Sequence, residues 1–166
     1  MAMERTIPTV TTSMRNKLII LLAAIALAGV SCDRKTMYHH YEHVESDGWD
    51  KNDTLKFAFS SIEVAGNYRE WVELRIDNTY PFMKLTMLVE QKVYPLGKIH
   101  QQSVECNLMS SDGHPSGTGI SYYHYQIPLT DIELNKGDSL EIHIVHNMKR
   151  EIMPGITDVG IRLRAQ

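Results

Sequence analysis

Residues 139–146 read SLEIHIVH, and how they are read decides the fold. Leu140, Ile142 and Ile144 alternate with Glu141, His143 and Val145, a period of two that sets one row of side chains against a core and the other toward solvent. A helix would instead space its apolar positions three and four apart. On such a strand His143 and His146 differ in parity and point to opposite faces, so they do not ligate one ion together, and His146 is expected to be hydrogen-bonded near the strand end. The same alternation recurs in Leu55, Phe57 and Phe59, and in residues 68–76, YREWVELRI. There Val72, Leu74 and Ile76 are expected to face inward while Glu73 and Arg75 face solvent.

Working outward, apolar patterning resumes over Leu85–Val93, more weakly over Ile99–Leu108, and again over Ile120–Ile127 and Gly155–Leu163. Turn-forming clusters separate these runs: Asn78-Thr79-Tyr80-Pro81, Pro95-Leu96-Gly97, Ser111-Asp112-Gly113, Asn135-Lys136-Gly137-Asp138 and Pro154-Gly155. Parallel βαβ units would need helices between the strands, and the helical candidate here is a single turn, Thr130–Leu134, capped by Thr130 or Asp131. The expected fold is therefore all-β: an antiparallel β-sandwich, jelly-roll or immunoglobulin-like, of about eight strands over residues 51–166.

Ahead of it, residues 14–35 read MRNKLIILLAAIALAGVSCDRK. Arg15 and Lys17 form a positive segment, Leu18–Ala28 an apolar one, and Gly29-Val30-Ser31 a run of small side chains for signal peptidase. The uncharged run from Leu18 to Val30 falls short of the roughly 20 residues that span a bilayer. Residues 1–31 thus read as an export signal, with 1–13 upstream of the true start at Met14. Cys32 directly follows the small residues, as in a bacterial lipoprotein signal, where the cysteine is acylated after cleavage. Two or more acyl chains hold a protein on a membrane where one does not. Residues 32–50 are then a lipid-anchored tether and first strand. Cleavage leaves 135 residues with 14 basic and 19 acidic side chains, a net charge of −5. No basic stripe for a phosphate backbone results, which excludes a nucleic-acid partner.

The mature chain also lacks a convergent chemical motif. Once Cys32 is acylated, Cys106 is the remaining thiol, and it reads as a small buried apolar residue rather than a nucleophile. His39-His40-Tyr41-Glu42-His43 has the i, i+4 histidines of a zinc helix but no helical pattern around them. In a strand His39 and His43 share one face with Tyr41, and a closed zinc site would still need ligands from elsewhere. These are read as solvated tether residues, with no metal and no cofactor. The glycine-rich run 112–119 lacks the order of a phosphate-binding loop and reads as a long hairpin. In Tyr122-Tyr123-His124-Tyr125 the tyrosines at 123 and 125 share one face, as half-buried strand residues or as a platform for stacking.

Three stretches go further. Residues 74–85, LRIDNTYPFMKL, the Asp112-Gly113 loop with Gly117 and Gly119, and the tail from His146-Asn147-Met148-Lys149-Arg150 through Gly155 to Arg162 together resemble the gliding-motility lipoprotein GldH family of Bacteroidetes. The physics of these stretches is that of a scaffold: Tyr80-Pro81 fixes an extended turn, and Gly155 and Gly160 allow a tight turn and a bulge or close approach in the last strand. The resemblance implies a cell-envelope lipoprotein, periplasmic or on the outer membrane, tied to gliding motility and the linked protein-secretion machinery, without known enzymatic chemistry. Its expected partners are the membrane, through acylated Cys32, and other envelope proteins. The candidate contact residues it supplies are Tyr80, Pro81, Met148, Arg150 and Asp158. Two other readings stand beside it. One is a glycan- or ligand-binding module that uses Trp49, Trp71 or the Tyr122–Tyr125 row; the other is a hydrolase, which would need a concave pocket of polar groups.

Overall fold

In a computed structural model, residues 36–166 are described, together with Lys17. The export signal and Cys32 lie outside the described residues. Twelve strands follow in order: β1 (Thr36–His43), β2 (Trp49–Asp50), β3 (Leu55–Phe59), β4 (Gly66–Asp77), β5 (Lys84–Tyr94), β6 (Lys98–Asn107), β7 (Thr118–Gly119), β8 (Tyr122–Pro128), β9 (Ile132–Leu134), β10 (Ser139–His146), β11 (Ile152–Met153) and β12 (Ile156–Ala165). Among the described residues no helix is long and apolar enough to cross a membrane.

All pairings are antiparallel. One six-stranded sheet runs β1-β12-β4-β8-β7, with β9 also on β4; a four-stranded sheet runs β3-β10-β5-β6; β2 and β11 pair separately. Of the long strands, only β5 and β6 are consecutive neighbours in one sheet; every other connection between long strands crosses to the opposite sheet. This is the strand order of a jelly roll. The expected count of about eight rises to twelve among the described residues, because β2, β7, β9 and β11 are two or three residues long and too short to leave a period in the sequence. Two further expectations are overturned. Ile132–Leu134 is a strand on Gly66–Tyr68 rather than a helical turn, since pairing buries Ile132 and Leu134 where five isolated residues could not hold a helix. The stretch around the histidines 39, 40 and 43 is not a solvated tether, because it forms the edge strand β1 on β12.

The period of two does what its chemistry demands. Val72, Leu74 and Ile76 of β4, with Val159, Ile161 and Leu163 of β12, close one wall of the core; Leu85, Met87 and Val89 of β5, with Leu140, Ile142 and Ile144 of β10, close the other. Each such side chain contributes about 1.5–3 kcal/mol on burial. Cys106 is buried among them, and burial, aided by the Glu105 charge, pushes its thiol up to about 12, so it is inert at neutral pH. His146 is buried at the end of β10. Its Nε2–H donates to the carbonyls of Trp49 and Glu151, both at 3.1 Å, and its Nδ1 accepts from the Met148 amide at 3.4 Å. Burial lowers its pKa against the pull of those carbonyls and keeps the ring neutral, and the imidazole stands edge-on to the Trp49 indole at 5.4 Å between ring centres. One carboxyl also enters the core: Glu70 accepts a hydrogen bond from the Gln91 amide across the two sheets, while its Oε1 has no partner.

The register fixes two ends. Where β1 starts at Thr36, β12 ends and β4 begins; the 60–65, 94–97 and 135–138 connections gather there too. At the opposite end lie the loops after β4, β6, β7 and β10. The eleven residue steps of β4 separate the ends by about 36 Å.

Candidate functional site

Outward-facing side chains on β1, β12, β4 and β8 form a grid set by register: His43, Asp158, Arg75 and His124 in one row, Tyr41, Gly160, Glu73 and Gln126 in the next, and His39, Arg162 and Trp71 in a third. Glu73 is the centre. It does leave the core face as the alternation requires, yet its side chain is 0% exposed, which corrects the expectation that it faces solvent. Neighbouring strands cover it. The Tyr41 hydroxyl donates to Glu73 Oε2, His39 Nε2 lies 2.7 Å from the same oxygen, Gln126 Nε2 donates to Oε1 at 3.2 Å, and Arg162 Nε lies 3.0 Å from Oε1. His124 Nε2 is 2.7 Å from the Tyr41 hydroxyl, and the Arg75 guanidinium stacks 4.2 Å from the Tyr41 ring centre.

Gly160 makes this possible. A Cβ there would meet the Tyr41 ring at 2.7 Å, so only a bare backbone lets the ring cross β12 to reach Glu73.

Burial alone would raise the Glu73 pKa. The Tyr41 and His39 hydrogen bonds and the Arg162 charge together outweigh it and hold the carboxyl below its ordinary range. For Tyr41, burial first, then the bond to Glu73 and its charge, push the phenol well above its ordinary value. Both proton positions are thus fixed, carboxylate and phenol, and the carboxylate is sealed from solvent. Such an arrangement clasps β1 to β4 across β12. What it leaves for contact is the rim, where His43 and Arg75 pair with Asp158 at 3.3 and 3.8 Å and Trp71 lies half-buried beside Arg69. Among the described residues, no group of three or more His, Cys, Asp and Glu side chains is placed to hold a metal ion.

The residues singled out by sequence separate. Tyr80 is buried, its hydroxyl donating to the Lys84 carbonyl at 2.8 Å, and Gly155, at φ +76°, packs its Cα against the Tyr80 backbone. Met148 is half-buried, its sulfur accepting from the Thr86 amide at 3.4 Å. Pro81 and Arg150 are exposed on the same end of the sandwich, whereas Asp158 belongs to the grid. Around Pro81 and Arg150 that end also exposes Met83, Ile120, Tyr122 and Ile152, with Ile120 at 89%. Of the aromatic platforms, Trp49 and Tyr125 are buried in the core, and Trp71 and Tyr122 face outward. A shallow groove of about 410 Å³ lies on the outer face of the other sheet between Leu88, Val145 and His143. The sequence reading missed Tyr41, Glu73, His124 and Arg162 as a unit; the one local signal was Gly160, a glycine inside a strand.

The profile of the GldH lipoprotein family matches residues 36–163. The chain is 30% identical over 164 residues to the gliding motility lipoprotein GldH of Flavobacterium johnsoniae, covering 90% of this chain and 96% of that one. It is 25% identical over 145 residues to the gliding motility lipoprotein GldH homolog of Christiangramia forsetii, covering 80% and 86%. Among solved structures, a family 35 carbohydrate binding module from Clostridium thermocellum overlays with a TM-score of 0.41 at 13% identity, over 79% of this chain and 90% of that one. Family profile and full-length relatives agree with the stretches around Tyr80 and Gly155 that first pointed this way: the chain belongs to the GldH lipoprotein family.

Proposed function

We propose that the protein is a non-catalytic envelope lipoprotein, anchored through acylated Cys32, that serves gliding motility and the linked protein-secretion machinery as a structural or assembly component by docking other envelope proteins. The docking face is the end of the sandwich farthest from Thr36, with Pro81, Arg150 and the loops that Tyr80 and Met148 shape, continuing onto the grid at Asp158. One observation carries this reading: Met83, Ile120, Tyr122 and Ile152, all large and exposed, collect at the end built from the stretches that carry the family resemblance. Exposed apolar side chains that share one end of a body offer a partner a contact surface there. The relatives named for gliding motility support the process, and the sealed Glu73 centre supports a surface rather than a reactive cleft as the working part.

The test is affinity capture of intact, acylated protein from detergent-solubilised membranes, beside an Ile120→Asp, Tyr122→Asp variant. Envelope proteins recovered in stoichiometric amounts with the parent and lost with the variant are expected. Equal recovery with both would overturn the assigned face, and no recovery from either would overturn docking itself.

A further inference from the structure

The opposite end of the sandwich carries its own exposed apolar tips. Val64, in the connection between β3 and β4, is 66% exposed, and Leu96, in the turn between β5 and β6, is 80% exposed; both sit at the end where β1 starts. Ile99 is exposed one residue beyond Lys98 on the same side. Neither Val64 nor Leu96 belongs to the core, and soluble loops at such turns are ordinarily polar. Only Asp33, Arg34 and Lys35 separate Cys32 from Thr36, and four residue steps span at most about 14 Å.

We propose that this end of the sandwich rests directly on the lipid bilayer, with Val64 and Leu96 seated in the interfacial region of the membrane that the acyl chains on Cys32 enter. The inference rests on the reading of Cys32 as the lipid attachment site and deepens it: the anchor places the body on the membrane in one orientation instead of letting it swing. Because the acyl chains already hold the chain at the surface, the contact is intramolecular, and two small apolar tips suffice where they could not recruit a free protein. Charge is secondary here. Lys98, Lys136, Arg69 and Arg164 share this end with Glu63, Glu133 and Asp131, and Arg69 pairs with Asp131 at 3.5 Å. Seating is therefore expected on neutral as well as anionic lipid. The end with Ile120 then stands away from the bilayer by the length of β4.

The test uses the full acylated protein, reconstituted into vesicles of phosphatidylethanolamine and phosphatidylglycerol, with an environment-sensitive fluorophore on Val64→Cys, Leu96→Cys or Ile120→Cys. Buried Cys106 does not compete for the label. Loss of emission to spin-labelled lipid at positions 64 and 96, and none at 120, is expected. Protein that floats with the vesicles while the labels at 64 and 96 stay water-exposed would overturn the seating alone. Failure to float would overturn the anchor and the seating with it. Shielding of 64 and 96 in native membranes but not in lipid vesicles would show a protein occupant and overturn the proposal.

Discussion

Two glutamates three residues apart on β4 show how far a residue's surroundings override its type. Glu70 faces the core and Glu73 the outer grid, and both are buried. Glu73 is surrounded by donors and stays charged. Glu70 has one donor, Gln91; burial first, with the Asp131 charge adding, raises its carboxyl to about 8 against the bond from Gln91. The folded chain therefore keeps a proton on Glu70 that the unfolded chain gives up near 4.5. That contribution to stability is whole below about 4.5 and is lost as the pH rises through about 8. Glu70→Gln removes the ionisation. In urea unfolding, the parent is expected to lose a few kcal/mol more than the variant between pH 5 and pH 9, at about 1.4 kcal/mol per pKa unit; matching slopes would contradict the assignment. Neither environment was legible in residues 68–76, because alternation tells which face a side chain takes but not what the facing strand, from a distant part of the chain, places over it.

At the scale of elements, the edge strand β1 is the clearest case. Its sequence, TMYHHYEH, has Met37 as its one aliphatic side chain and no alternating apolar row, so no hydrophobic period marks it, and its place in the sheet comes from β12 and from the clasp between Tyr41, His39 and Glu73. Gly160 is the hinge of that arrangement. Gly160→Ala is expected to force the Tyr41 ring off β12, lower stability by about 1–3 kcal/mol as overpacking does, and raise amide exchange along β1 before the rest of its sheet. Unchanged exchange in β1 would show that the clasp does not hold the edge. By contrast β3, β4, β5, β10 and the final strand were legible from alternation alone, since each buries a continuous apolar row. The short strands β2, β7, β9 and β11 were not; two or three residues pair only where long strands have already put a partner beside them.

For the whole molecule, the jelly-roll order makes the polarity. Because successive long strands run between the two ends, the loops fall into two groups about 36 Å apart, one beside Thr36 and the other made from the Tyr80-Pro81 and Met148–Gly155 stretches. The sequence could supply a candidate anchor and candidate contacts but not the separation of the two ends, because topology alone decides that residues as distant as 64 and 96 share one end and 83 and 152 the other. In the arrangement proposed, one end meets lipid and the other meets protein. Photo-cross-linking in native membranes, with the reactive side chain placed in turn at Leu96 and Ile120, measures this most directly. Adducts to lipid from position 96 and to an envelope protein from position 120 are the predicted result; the reverse pattern, or protein adducts of equal yield from both, would contradict it.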